Sequence, residues 1–222
     1  MAGLGQNIGV SVKRDSFSLS FAVGAYGTAF GAASVTAHFT VLQSCLLSLL
    51  TFSGASQFAV IGVLGAGGSA VSGIATATLL GSRNALYGLR MAPILKVRGL
   101  KRIVAAQVTI DESTAIATAQ KDEADQVTGF WHTGFGVFVF WNIFTLLGAL
   151  GAKAIGNPSA WGLDAAVPAA FIGLVWPRLV DRKSRLIAAA AVVLSLALVP
   201  IAPAGVPIIT TAVLAIIVGW RA

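Results

Sequence analysis

The sequence predicts an all-α protein, a polytopic bundle of transmembrane helices, and three observations lead there. Charged residues make up only 10% of the 222 positions, against about a quarter in a soluble domain. The charge that is missing is missing in blocks. No Lys, Arg, Asp or Glu occurs in the 67 residues between Asp15 and Arg83, the 27 between Asp125 and Lys153, or the 35 between Arg185 and Arg221. Apolar residues reach 56% and the mean hydropathy is +0.85. A membrane span takes ~20 mostly apolar residues, so the longest block alone holds two or three. Most soluble enzyme classes are excluded, because such blocks cannot clothe a surface in water. Glycine-rich fibrous and disordered classes fail as well, since the 25 glycines follow no strict period and the hydrophobicity is too high. A lone Cys45 cannot form an intrachain disulfide or a multi-cysteine metal site. The net charge of +7 sits at the ends of apolar runs, where topology and lipid headgroups, not nucleic acid, account for it.

Taken in order, Met1 to Asp15 is a short polar lead ending in Lys13-Arg14-Asp15. Phe17 to Ala37 is a span, too long for a secretory apolar core of about 7–15 residues, and is expected to be retained. Val41 to Leu64 is a second apolar stretch. Ser69 to Leu95 is a third, interrupted by Arg83 and Arg90. Lys96 to Arg102 is a basic loop. Over Ile103 to Gln120, Gln107, Asp111, Thr114 and Thr118 fall on one helical face and Ile103, Ala106, Ile110 and Ala117 on another. That pattern predicts an amphipathic helix, interfacial or packed inside the bundle. Phe130 to Leu150 and Trp161 to Val180 are spans. Leu186 to Trp220 forms two short spans or one hairpin, divided by Pro200, Pro203, Gly205 and Pro207. The count is about seven spans in a single domain, residues 1–222.

Charge bias places the two strongest basic loops, 96–102 and 178–185, in the cytoplasm. Three full spans before the first of them would leave Lys13 and Arg14 outside. A stretch 41–64 that enters and returns would bring every basic cluster to one side. Small and polar residues from Thr51 to Phe58 interrupt that stretch, and irregular backbone at membrane depth needs protein or a polar cavity around it. A re-entrant or discontinuous helix near 51–58 and seven full spans both stay open.

Few residues can carry chemistry. Gly65-Ala66-Gly67-Gly68-Ser69-Ala70 has dinucleotide-loop spacing but lacks the strand and the acid ~20 residues on. No nucleotide motif, metal set or catalytic group is expected, and no cofactor. Ser53, Gly54, Ala55, Ser56 and Gln57 are the leading substrate-site candidates, because a broken helix frees backbone groups at mid-membrane. Small-residue packing is the alternative for them. For the face formed by Ser20, Gly24, Gly27 and Gly31, close packing is the first reading and the lining of a narrow pathway the alternative. Arg83, beside Asn84, is an expensive residue inside a span. It binds a carboxylate, pairs with Asp111, Glu112 or Asp164, or snorkels from a helix ending near Leu80. Asp111, Glu112 and Asp164 are proton-coupling candidates, since burial lets a carboxyl exchange a proton near neutral pH. Asn142, beside Trp141, needs a partner in the protein or in a substrate.

Several stretches together resemble the AzlC family, the large subunit of branched-chain amino acid exporters. Phe52-Ser53-Gly54-Ala55-Ser56-Gln57-Phe58-Ala59 is similar to its best-known motif. Arg83-Asn84-Ala85-Leu86-Tyr87-Gly88 followed by Ala92-Pro93 resembles another, departing at Asn84, where the family has His, and at Gly81, where Asn is common. Asp111-Glu112-Ser113, Trp141-Asn142 and Gly162-Leu163-Asp164 with Pro168-Ala169-Ala170-Phe171 follow in the family's order. The resemblance implies a secondary carrier, not an enzyme, exporting apolar amino acids from a prokaryotic cell (a multi-pass inner or plasma membrane protein). It also implies a small AzlD-type membrane subunit as partner, within the lipid bilayer. Without a nucleotide motif, ion coupling is expected. An amino acid channel and a scaffolding subunit are the competing classes.

Overall fold

The computed structural model describes residues 4–156 and 179–220, with positions 169, 172, 173, 175 and 176 between them. These residues form helices and no strand. In chain order they are α1 (Leu4–Ala25), α2 (Gly27–Thr36), α3 (Val41–Thr51), α4 (Gly54–Gly65), α5 (Ala70–Leu95), α6 (Leu100–Gln107), α7 (Asp111–Ala119), α8 (Glu123–Ile155), α9 (Arg182–Leu198) and α10 (Val206–Trp220). Local chemistry sets several boundaries. Thr40 and Gln43 form a reciprocal capping box at the start of α3, and the Ser69 hydroxyl accepts from Ser72 N at the start of α5, as N-caps do. Asp181 caps α9, and hydrogen bonds from the Ser184 hydroxyl and amide hold its carboxyl below the ordinary carboxylate range.

Helix α8 is the axis of the bundle, and α1 and α2 run parallel to it. Ser20 donates to Thr133 O at 3.3 Å. A Cβ on Gly27 would stand 2.5 Å from Trp141 O, and one on Gly31 would meet Ala149 N at 2.7 Å. Gly24 and Gly31 press on the α8 backbone, and Gly148 presses back on Thr28. The glycine face therefore packs helix on helix, as small residues do in membranes, and does not line a pathway.

Two helical hairpins enter this frame from opposite ends. In the first, α3 and α4 fold back on each other: Gln57 Nε2 reaches Leu47 O at 3.4 Å and Ser48 O at 3.3 Å. A Cβ on Gly65 would lie 2.9 Å from Ala37 Cβ, so α4 ends where α3 began. In the second, Arg83 pairs with Asp111 and Lys96 pairs with Glu123. Arg83 and Lys96 are about 20 Å apart along α5, so the chain leaves the Lys96 end in α6 and returns to it in α7. The tips meet, with Gln107 Nε2 donating to Leu49 O at 2.9 Å.

Three sequence expectations change, and one left open is decided. Phe17–Ala37 is divided at Tyr26, and α1 extends back to Leu4 through the supposed polar lead. The stretch 41–64 breaks at Phe52 and Ser53, as the discontinuous-helix alternative near 51–58 has it. The single amphipathic helix over 103–120 is two helices, because the Ser113 hydroxyl accepts from Ile110 N and donates to Val108 O, taking the place of helical bonds. Seven spans are not displayed: among the described residues only α8 is long and apolar enough to cross a membrane, and the break at Phe52 and Ser53 leaves two short apolar helices in 41–64. Most of the stretch 161–180 lies outside the described residues.

Cationic residues collect at one end. Val12 lies against Gly129, which puts Lys13 and Arg14 with Lys96, Arg98, Lys101, Arg102 and Lys121. Arg182, Lys183 and Arg185 stand together at the start of α9. Lys153 stands near the other end of the bundle. The basic end is expected to be cytoplasmic. In a Cys45→Ala background, a thiol at position 13 or 98 should react with a membrane-impermeant maleimide only after the inner face is opened, and one at 67 or 154 from outside. Labelling of 13 and 98 from opposite sides would overturn this topology.

Candidate functional site

Helix α5 continues unbroken from Ala70 to Leu95, which places Arg83 in mid-helix and discards the reading in which the helix ends near Leu80. Its guanidinium finds Asp111 instead, with Nη1 3.0 Å from Oδ2. The pair is largely withdrawn from the surface, at 32% and 20% side-chain exposure. Opposite charge is what lets both ionised groups stay there. Asp111 and Glu112 occupy the first turn of α7, where the helix dipole favours negative charge.

The tip of the first hairpin faces the same place. Ser53 is extended (φ −153°) and its side chain does not cap α4; its hydroxyl pairs with that of Ser56 at 3.1 Å. The first N–H groups of a helix have no partner within it, so an uncapped α4 offers donors at Gly54 and Ala55. Between the tips lies a cavity of about 300 Å³, at the small end of small-molecule sites. Ser53, Arg83, Asn84, Asp111 and Glu112 supply its polar lining, and Phe52, Phe58, Ile110, Val137 and Trp141 much of its apolar wall. Arg83 Nε and Asn84 Oδ1 are buried with no hydrogen-bond partner.

The structure thus brings Ser53, Gly54, Ala55, Arg83, Asn84, Asp111 and Glu112 to one cavity. It places Ser56, Gln57 and Asn142 elsewhere. Ser56 donates to Ala77 O at 3.0 Å, joining α4 to α5. Gln57 is fully buried and accepts from Trp141 Nε1 at 3.0 Å while its amide serves the end of α3. Asn142 Nδ2 donates to Phe138 O within α8 at 2.7 Å. Asp164 lies outside the described residues. Trp141, named from the sequence only as the neighbour of Asn142, is among the lining residues that the site candidates left out. Its signal was an indole N–H in mid-span, which requires an acceptor, 84 positions from an amide with the same need.

Replacing Gln57 with Leu should leave the Trp141 N–H and the Ser48 carbonyl unpaired, at ~1–3 kcal/mol for each buried group. The thermal midpoint in detergent should fall by several degrees and the tryptophan emission should shift. An unchanged midpoint and spectrum would show that Gln57 holds neither element.

Comparison with known proteins places this geometry. The family described as AzlC protein matches residues 18–155, which contain both hairpins and all of the described cavity lining except Val175. The inner membrane protein YgaZ of Escherichia coli (strain K12) is 30% identical over 177 residues, covering 76% of this chain and 72% of its own length. No solved structure matches.

Proposed function

This chain belongs to the AzlC family, and we propose that it is a secondary transporter of the cell membrane. In this reading it is multi-pass, exports branched-chain or related apolar amino acids, couples to protons and works with a small AzlD-type subunit. It is not an enzyme. The observation that carries the reading is the single cavity in which a cation, two carboxylates and an uncapped helix start face an aromatic wall. A zwitterion needs both polar signs, and an aliphatic side chain needs the wall.

The substrate carboxylate binds Arg83 and the N–H groups of Gly54 and Ala55, since half-helix N-termini favour carboxylates. Its ammonium group binds Asp111 and Glu112. Its side chain lies against Phe52, Phe58 and Trp141. The Arg83–Asp111 contact gives the coupling: a protonated Asp111 no longer holds the substrate's ammonium group, so proton and substrate exclude one another at this site, and proton entry drives substrate exit. Asp164 is a further proton carrier proposed from sequence. Hairpins entering from opposite ends suit alternating access, in which one and then the other withdraws from the cavity.

Asp111→Asn, a carboxamide that cannot lose a proton, provides the test in proteoliposomes holding this chain and its partner. Accumulation driven by a pH gradient should fall within the ~5–150-fold range of ordinary coupling energies, while counterflow of labelled against trapped unlabelled substrate survives. Gradient-driven transport at the wild-type level in Asp111→Asn would sink the coupling role. Absence of counterflow in the wild type would favour a channel.

A further inference from the structure

Helices α1, α7 and α8 meet in a junction whose levels are marked by the glycines of α8. A Cβ on Gly129 would lie 2.8 Å from Ile116 Cγ2, 3.4 Å from Val12 Cγ1 and 3.7 Å from Ala117 N. Further along α8, a Cβ on Gly134 would lie 2.9 Å from Val108 Cβ, and one on Gly136 2.5 Å from Ser20 Oγ. Helix α1 therefore runs with α8 here, and α7 runs against it. Residues three or four apart share a helix face. The level one turn beyond Gly129 accordingly holds Thr133 of α8, Ser16 of α1 and Thr114 of α7.

These three side chains have one peculiarity in common. Ser16 and Thr133 are fully buried and Thr114 is 8% exposed, and none of the three hydroxyls has a hydrogen-bond partner. A helical Ser or Thr can give its hydroxyl to a carbonyl one turn back, as Thr118 does to Thr114 O and Thr109 to Ala105 O. Ser16, Thr114 and Thr133 do not. A buried hydroxyl left unpaired is destabilising. Three at one level, from three elements and none bonded to another, frame a site for a group that both donates and accepts. Water is such a group, and a buried water takes about two to four polar partners.

We infer that Ser16, Thr114 and Thr133 hold a shared water, and that it carries protons between Asp111 and the basic end of the bundle. Asp111 lies on the same face of α7 as Thr114, ~4.5 Å back along the axis. On the other side, Val12, Ile116 and Ala117 close around Gly129 in one apolar turn, and Lys13 and Arg14 follow Val12. That turn bars the route in this conformation, and withdrawal of α7 opens it. Each oxygen on the way takes up one proton as it releases another. Asp111 thus passes between carboxylic acid and carboxylate, and the hydroxyls and the water end as they began. The proton role rests on the transport reading above, whereas the water site rests on the three hydroxyls alone.

The experiment uses the full chain, in detergent and in proteoliposomes with its partner. Thr133→Val removes the hydroxyl and keeps the shape. It should lower the thermal midpoint, because the water loses a partner, whereas loss of a dry, unpaired hydroxyl would raise it. Ser16→Ala should lower the midpoint too. The double substitution should cost clearly less than the sum, since a shared water is lost only once. Uptake of labelled leucine driven by a pH gradient should slow several-fold in Thr133→Val, with leucine counterflow at the wild-type rate, and Thr133→Ser should restore it. A raised midpoint, or strictly additive losses, overturns the water site. A lowered midpoint with gradient-driven uptake at the wild-type rate overturns the proton role. A wild type indifferent to the gradient overturns the coupling reading and the proton role with it, while the midpoints decide the water site independently.

Discussion

A helix that stops inside a membrane must hand its last carbonyls to something other than water, and the candidate site depends on how α3 meets that demand. Each unsatisfied backbone group in hydrocarbon costs several kcal/mol. Two glutamine side chains from different elements answer at the α3 terminus: Gln57 to Leu47 and Ser48, and Gln107 to Leu49. Because Gln57 also receives the Trp141 indole, one amide fixes the angle of the first hairpin and the wall of the cavity together. Gln107 fixes the second hairpin against the first. Once α3 is terminated in this way, α4 starts without a side-chain cap, at residues that line the cavity.

The ion pair between the tips answers a second demand. Arg83 enters from the middle of α5, between Ser82 and Asn84 in an otherwise apolar stretch, and alone it would be among the most costly residues in a span. Asp111 reaches it only because the helix over 103–120 is broken. A continuous helix would carry Asp111 past the level of Arg83. The break that looks like lost hydrogen bonding thus delivers the counter-ion, and Ser113 recovers two of the backbone groups involved.

These two breaks differ in how well the sequence showed them. The first was legible because Ser53, Gly54, Ser56 and Gln57 stand out in an apolar run, and polar groups there demand an explanation. What could not be read was the partner of each group. Gln57 looks equally in need of a substrate or of a carbonyl, and only folding shows that Leu47, Ser48 and Trp141 absorb its hydrogen bonds. The second break left no trace, because Val108-Thr109-Ile110 contains neither glycine nor proline and the helical periodicity runs straight across it. Arg83 was legible as an anomaly, but its place in mid-helix depends on α5 continuing to Leu95. The glycines of α1 and α2 were legible as a packing face, and α8 is the surface they pack on. The resemblance to the AzlC family was carried by the motif at the first tip, the α5 segment around Arg83 and the start of α7, three places that the fold brings together.

The distribution of charge along the bundle adds a last step. Seven basic residues named above (Lys13, Arg14, Lys96, Arg98, Lys101, Arg102 and Lys121) gather at the end from which α6 and α7 enter, while the end from which α3 and α4 enter carries Lys153. If the basic end is cytoplasmic, the hairpin bearing Asp111 and Glu112 is the inner one and the hairpin bearing the bare α4 N-terminus is the outer one. Withdrawal of the inner hairpin would then separate Asp111 from Arg83 and open the cation to the cytoplasm, where the substrate of an exporter is found. Withdrawal of the outer hairpin would leave the ion pair intact and remove the backbone donors, weakening the hold on a carboxylate as the cavity opens outward. The same arrangement that satisfies the broken helices thus gives the two faces unequal hold on a carboxylate, which sets where substrate loads and releases most readily, while the direction of net transport follows the gradient that drives it.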